Sequence, residues 1–134
     1  MSRRKCLDTS AYGHFKRGEA SAVAAIGGAK WIGVPAVVLG ELRTGFALTV
    51  HAEKNEMEPQ QFLAHPLVHI LDVDDAASSF YAEIMTALGR AGTPLPSNDI
   101  WIASVAAREG AMVVTYDEHF RSIQRIGYCI LFEQ

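Results

Sequence analysis

Four carboxylates, far apart in the chain, stand at comparable points of its hydrophobic pattern, each near a strand-to-helix transition or a helix start. They are Asp8 in Lys5-Cys6-Leu7-Asp8-Thr9-Ser10, Glu41 in Leu39-Gly40-Glu41-Leu42, Asp99 in Ser97-Asn98-Asp99-Ile100-Trp101-Ile102-Ala103, and Asp117 in Val114-Thr115-Tyr116-Asp117. An ionised carboxylate beside an apolar run is costly to desolvate unless it is paired, hydrogen-bonded or bound to a cation. Gathered at one edge of a fold, four such groups would repel one another. A hard divalent ion such as Mg²⁺ or Mn²⁺, which prefers oxygen ligands, would relieve that repulsion and activate water. Taken singly, each acid has a plainer reading. Asp99 fits a helix-start acid, Asp8 a capping turn with Thr9 and Ser10, Asp117 a turn acid, and Glu41 a surface helix residue.

The elements that must position these residues alternate between short β-type runs and helical stretches, the pattern of a parallel sheet covered by helices. Strands are expected at Lys5 to Asp8, Trp31 to Pro35, Leu67 to Leu71, Ala111 to Thr115 and Tyr128 to Phe132. Helices are expected at Ser10 to Lys16, Glu19 to Ile26, Ala36 to about His51, Met57 to Ala64, Asp74 to Ala91, Asn98 to Glu109 and His119 to Arg125. The clearest is Asp74 to Ala91, where Ala77, Phe80, Tyr81, Ile84, Leu88 and Ala91 follow helical spacing and Asp72 or Asp74 can cap the start. Ser97 is read as the N-cap of the helix that carries Asp99, and Gly110 as its stop. In parallel α/β sheets ligands bind outside the carboxyl ends of the strands. Asp8 and Asp117 would point into that edge, Asp99 would sit in the first turn of a helix, and Glu41 could reach back from its own.

The 134 residues fit one domain, 1–134, with one substantial core. Hydrophobic residues make up 49% and charged residues 20%, a globular composition that excludes disorder. A net charge of −3 gives no global signal for nucleic-acid binding, so such an activity would rest on local basic residues and bound metal. Cys6 and Cys129 fall inside apparent strands, and the opening Met1-Ser2-Arg3-Arg4-Lys5 lacks the apolar segment of a secretory signal, so a reducing, cytoplasmic setting is expected. Ser21 to Gly40 carries one charge, Lys30, but Gly27-Gly28 and Pro35 interrupt it too often for a membrane span.

In order along the chain, Leu7-Asp8-Thr9-Ser10, Gly40-Glu41-Leu42 with Gly45, Asp99-Ile100-Trp101-Ile102-Ala103 and Val114-Thr115-Tyr116-Asp117-Glu118-His119-Phe120 resemble the successive motifs of the PIN domain. They are most similar to the VapC-type ribonuclease toxins of bacterial toxin–antitoxin pairs. The resemblance covers nearly the whole chain. It implies an α/β fold, a three-layer α/β/α sandwich with a mainly parallel five-stranded sheet. It implies a metal-dependent endoribonuclease in which Asp8, Glu41, Asp99 and Asp117 hold one or two Mg²⁺ or Mn²⁺ ions, with Thr9 or Thr115 orienting a carboxylate or a water. It also implies an RNA substrate, with tRNA the class the family suggests, a cognate antitoxin protein and a homodimer. Ser104 departs from the family's usual second alanine, and Glu118 beside Asp117 is a rival for the fourth acidic position. The alternative is a catalytically inert PIN-like module that binds RNA or protein.

Other constellations are weaker. His65 and His69 have helical metal-pair spacing, but Pro66 makes a continuous helix there unfavourable and no third ligand is near. His119 follows Asp117 closely and could line the site, but a surface histidine is the favoured reading. Lys16, Arg17, Arg43, Arg90 and Arg121 could meet phosphates, whereas Arg3 and Arg4 precede the first strand and so belong to the opposite edge. Trp101 and Phe46 read as core or dimer contacts. A receiver-type signalling module lacks its acidic pair near the first strand and a lysine after the fifth. A phosphatase opening on Asp-x-Asp is excluded by Thr9-Ser10 after Asp8.

Overall fold

The computed structural model describes residues 4–49 and 59–133. Five strands, β1 (Arg4–Leu7), β2 (Trp31–Pro35), β3 (Val68–Leu71), β4 (Met112–Thr115) and β5 (Tyr128–Ile130), form one sheet in the order β3-β2-β1-β4-β5. Every pairing is parallel, so the sheet is wholly rather than mainly parallel. The helices are α1 (Thr9–Lys16), α2 (Ala20–Gly27), α3 (Ala36–Ala47), α4 (Asp75–Ala91) and α5 (Ser97–Glu109), with a 3₁₀ turn at Glu118–Ser122. Residues 59–63 are also helical. Part of the expected helix from Met57 to Ala64 therefore lies outside the described residues. The fold is a three-layer α/β/α sandwich.

Parallel strands covered on both faces need near-continuous apolar sequence. β1 and β4, in the middle of the sheet, supply it: Cys6, Leu7, Val113, Val114 and Thr115 are all fully buried. Register pairs Cys6 with Gly33 and Leu7 with Val114, which brings the carboxyl ends of β1 and β4 side by side. Asp8 N–H extends that ladder by donating to Val114 O at 3.3 Å. Gly33 is required by packing, since a Cβ there would lie 2.7 Å from Leu71 Cδ1 and 2.8 Å from the Trp31 ring. α4 buries Ala77, Ile84 and Leu88 as its spacing predicts, although Ala91 at its end is exposed. Asp74 caps it by accepting Ala77 N–H at 2.9 Å, and Gly92 at φ 71° ends it in the left-handed conformation only glycine adopts freely.

Several boundaries differ from the sequence reading. α3 stops at Ala47, short of His51, because Thr49 turns back: its N–H and its Oγ1 both donate to Phe46 O, at 3.1 and 2.8 Å. Ser97 is not the N-cap of α5. Pro96 holds that position without a side-chain bond, and Ser97 is the first helical residue. The expected helix from His119 to Arg125 is a 3₁₀ turn ending at Ser122, since Asp117 caps it two residues before His119. β5 ends at Ile130, short of Phe132, after which Leu131 N–H still donates to Thr115 O at 2.8 Å. His69 lies in β3 and stacks on Trp31, and His65 Nδ1 accepts the N–H of Leu67, so these histidines share no helix face. No helix among the described residues is long and apolar enough to cross a membrane.

Candidate active site

Asp8 is the innermost of the four acids, 5% exposed just past the end of β1. The extended backbone there leaves the first N–H groups of α1 open, and the carboxylate caps them. Oδ1 accepts from Ala11 N at 2.9 Å and from Ser10 Oγ at 2.8 Å, while Oδ2 accepts from Thr115 Oγ1 at 2.5 Å. Burial pushes the Asp8 carboxyl above its ordinary range, and the three hydrogen bonds oppose that rise without cancelling it. The capping reading and the site reading of Asp8 therefore describe the same geometry.

Thr115, the last residue of β4, is fully buried and ties two of the acids together. Its Oγ1 donates to Asp8 and accepts the N–H of Asp117 at 2.9 Å. Ser10 repeats the arrangement, donating to Asp8 and accepting Tyr116 N–H at 3.0 Å. Two hydroxyls thus join the β1–α1 turn to the chain after β4. Only the proximity of Ser10 to Asp8 was visible in the sequence. Its bond to Tyr116 depends on β1 and β4 being sheet neighbours, which no local pattern reveals.

Asp117 caps the 3₁₀ turn by accepting His119 N–H at 2.8 Å, and His119 Nδ1 lies 3.1 Å from Asp117 Oδ1. Glu41, in α3, is exposed, and its Oε1 accepts from Thr9 Oγ1 at 2.6 Å. Asp99 is half-buried in the first turn of α5. Its carboxyl is pushed up to about 6, first by burial and then by the negative charges of Asp117, Asp8 and Glu41, with His119 opposing. The charges of the three other acids thus all act on Asp99. Ligand atoms of Asp99, Asp117 and His119 lie within 4.8 Å of one another, close enough to hold one cation. His119, for which the sequence favours a surface role over lining the site, belongs to this group. Glu118 does not: its side chain is 64% exposed and lies 3.8 Å from Arg121 Nε.

Two open grooves border these residues. One, of about 370 Å³, is lined by Thr9, Ser10, His14, Lys16, Arg17 and Phe46, and the other, of about 710 Å³, by Glu41, Thr44, Leu48 and Asn98. A third cavity, of about 600 Å³ between α4 and the segment 122–125, contains none of the four acids. Arg4 lies at the other end of β1, bonded to Glu109 at 3.2 Å, as expected of the opposite edge. Trp101 stacks on Tyr81 with centroids 4.0 Å apart, which places it in helix–helix packing between α4 and α5. Ser104 is fully buried and donates to Ile100 O at 2.6 Å, so its hydroxyl is satisfied within the helix.

The donor set suits a hard divalent ion, because carboxylate oxygens dominate it and the neighbouring negative charges hold the Asp99 carboxyl above its ordinary range. Known proteins resemble the chain in sequence and in fold. The PIN domain model matches residues 5–126. Ribonuclease VapC2 of Rickettsia felis is 31% identical over 100 residues, covering 75% of this chain and 72% of that protein. Ribonuclease VapC4 of Mycobacterium tuberculosis is 30% identical over 96 residues, covering 72% of this chain and 73% of that one. Among solved structures, VapBC2 from Rickettsia felis bound to a promoter DNA fragment superposes with a TM-score of 0.86 at 24% identity, over 96% of this chain and 99% of that one. DNA-bound VapBC from Salmonella typhimurium gives a TM-score of 0.83 at 25% identity, over 95% and 97%.

Proposed function

The chain belongs to the PIN domain family, and we propose that it cleaves RNA phosphodiester bonds as the toxin of a toxin–antitoxin pair, with a divalent ion at its acidic centre. The observation that carries this reading is the grouping of Asp99, Asp117 and His119, whose ligand atoms lie within 4.8 Å of one another, with Asp8 and Glu41 near enough for their charges to act on Asp99. A set of acids that destabilise one another's ionised forms is a poor structural device and a good cation site. The relatives named ribonucleases supply the class of reaction.

Asp99 and Asp117, with His119 beside them, would hold Mg²⁺ or Mn²⁺, and Asp8 and Glu41 would complete the acidic set. When bound, such an ion supplies charge neutralisation at the phosphate and lowers the pKa of water. The chain's own residues do the rest. Thr115 and Ser10 fix the rotamer of Asp8, so its carboxylate is presented without a search through conformations. Thr9 holds Glu41 toward the same edge. Placement of Asp99 in the first turn of α5 lets the helix N-terminus favour its ionised form once a cation is present. Lys16 and Arg17 in the neighbouring groove offer positive charge to an RNA backbone.

The same reading gives an RNA substrate, with tRNA the first class to try, a homodimer, a cytoplasmic setting and an antitoxin that covers the acidic edge. Structural neighbours described as VapBC complexes support the antitoxin. The test is cleavage of a defined RNA by RNase-free protein with Mg²⁺ or Mn²⁺, in parallel with Asp99→Asn. Wild type cleaves and the variant loses at least about a hundredfold, the scale of removing a group that organises transition-state charge. Equal rates for the two proteins overturn the reading. RNA binding by both without cleavage would instead identify a binding module.

A further inference from the structure

One histidine outside the acidic group joins the C-terminal segment to both halves of the site. His14 lies in α1 with both ring nitrogens engaged: Nδ1 is 2.8 Å from Ser10 O and Nε2 is 2.7 Å from Glu133 Oε1. A backbone carbonyl and an ionised carboxylate can only accept, and a neutral imidazole has a single N–H to donate. Both contacts are hydrogen bonds only when the ring is the imidazolium. If the ring is neutral, one nitrogen lone pair must face an oxygen lone pair at under 3 Å.

The face of the same ring stacks on Tyr116, with centroids 3.8 Å apart and planes at 19°. Tyr116 stands between Thr115 and Asp117, its N–H is donated to Ser10 Oγ, and its hydroxyl lies 2.7 Å from Ser21 Oγ of α2. His14 therefore touches the residue whose hydroxyl holds Asp8 and the residue next to Asp117, and it links both to Glu133.

We propose that His14, held as its imidazolium, is a positioning residue for the acidic centre, clamping the first turn of α1, the Thr115–Asp117 segment and Glu133 together and releasing them when the ring loses its proton. Where activity is concerned, this rests on the ribonuclease reading given above. The groups that face the ring are few. Glu133 favours its charge from the C-terminal segment and Arg17, the C-cap of α1, disfavours it. Glu19, at the start of α2, donates its N–H to His14 O at 3.0 Å. The hydrogen bond to Glu133, followed by that to Ser10, raises the ring's pKa above its ordinary value, and the same contact lowers that of Glu133. A raised histidine pKa gives a contact that is complete below the unfolded value of about 6.5 and lost as pH rises through the folded value. Glu133 sets the lower limit, because its bond is lost as pH falls through its depressed pKa. Glu133 is 74% exposed, so the ion pair by itself is weak, and the Ser10 carbonyl and the Tyr116 stack must share the clamp.

The test combines two readouts on the full chain, wild type and Glu133→Gln. The first is NMR between pH 5.5 and 9: His14 ring nitrogen shifts, with the amides of Ala11, which follows the Ser10 carbonyl, and Asp117, which donates to Thr115. The wild-type ring is doubly protonated at pH 6.5, and the Ala11 and Asp117 amides shift together with its titration. In Glu133→Gln the titration midpoint falls, and both amides follow it down. The second readout is single-turnover RNA cleavage at saturating Mg²⁺ over the same range. Wild type loses about fivefold in rate across the His14 titration, the scale of one hydrogen bond, and the Glu133→Gln loss occurs at correspondingly lower pH. His14→Gln is slower by about the same factor at pH 6.5 and shows no such step. The proposal is overturned if the wild-type ring is singly protonated at pH 6.5, if Glu133→Gln leaves its midpoint in place, or if the Asp117 amide ignores it. If wild type cleaves no RNA at any pH while the NMR results hold, the ribonuclease reading fails and the clamp stands.

Discussion

Replacing Thr115 by valine keeps the shape of the side chain and removes the hydroxyl that joins Asp8 to Asp117. Two bonds go at once: the donor to Asp8 Oδ2 at 2.5 Å and the acceptor of Asp117 N–H at 2.9 Å. A hydrogen bond to an ionised group contributes about 1.5–3 kcal/mol and a neutral one about 1 kcal/mol, and the site is buried, so water cannot replace either fully. The added buried methyl offsets about 1 kcal/mol. The net loss at pH 7.5 is then about 1.5–3 kcal/mol. For a domain of this size, with a urea slope of about 1.5 kcal/mol/M, the unfolding midpoint should fall by roughly 1–2 M. The loss also depends on pH. Asp8 has a folded pKa above its unfolded one, so the folded state binds more protons between the two values and stability falls as pH rises through that window. Without Thr115 the folded pKa rises further, which widens the window. Toward the acid end Asp8 takes up a proton and needs the donor less, so the penalty should be smaller at pH 4 than at pH 7.5. Urea unfolding of metal-free protein at both pH values measures this. Equal midpoint shifts at the two pH values, or a shift under about 0.5 M at pH 7.5, would refute the reasoning.

Metal-free Asp99→Asn should be more stable than wild type at pH 7.5, by roughly 1 kcal/mol after discounting for the half-exposed position, because it removes a charge its neighbours repel. Asp99 has a folded pKa of about 6, above its unfolded value, so wild-type stability should decline as pH rises from about 4 to about 6, a decline that thermal melts should find reduced in the variant. Glu118→Gln should leave both RNA cleavage, within about twofold, and stability, within about 0.5 kcal/mol, unchanged, since the carboxylate it removes faces solvent and Arg121. His119→Ala should weaken Mn²⁺ binding roughly tenfold by calorimetry if its ring supports the ion, either directly or by orienting Asp117.

How much of this was legible in the sequence varies with the range of the interaction involved. Strands β2 and β4 and helix α4 carry apolar patterns long enough to read locally, and the parallel architecture follows from their alternation. The order β3-β2-β1-β4-β5 has no local signature, yet it is what sets Asp8 beside Thr115. The end of α3 and the turn after Asp117 depart from the periodicity because a side chain, Thr49 or Asp117, overrides it by bonding nearby backbone. Ser97 looked like a cap by residue type, but Pro96 has the dihedral angles that position needs. His119 shows the opposite case. Its meaning lies in its closeness to Asp99, twenty positions away in sequence, and nothing in Asp117-Glu118-His119-Phe120 reports that. Sequence favours Asp117 over Glu118 for the fourth acidic position, and the turn bears on the choice by directing Asp117 toward Asp99 and Glu118 toward Arg121.

The central claim, that these acids form one cation-dependent centre for RNA cleavage, is tested most directly by the initial rate of RNA cleavage as Mn²⁺ is titrated into metal-stripped protein. The rate should rise from the EDTA baseline to a plateau for wild type and stay at that baseline at every concentration for Asp99→Asn. Cleavage by wild type that persists unchanged in EDTA, or a saturating curve for Asp99→Asn equal to that of wild type, would contradict it.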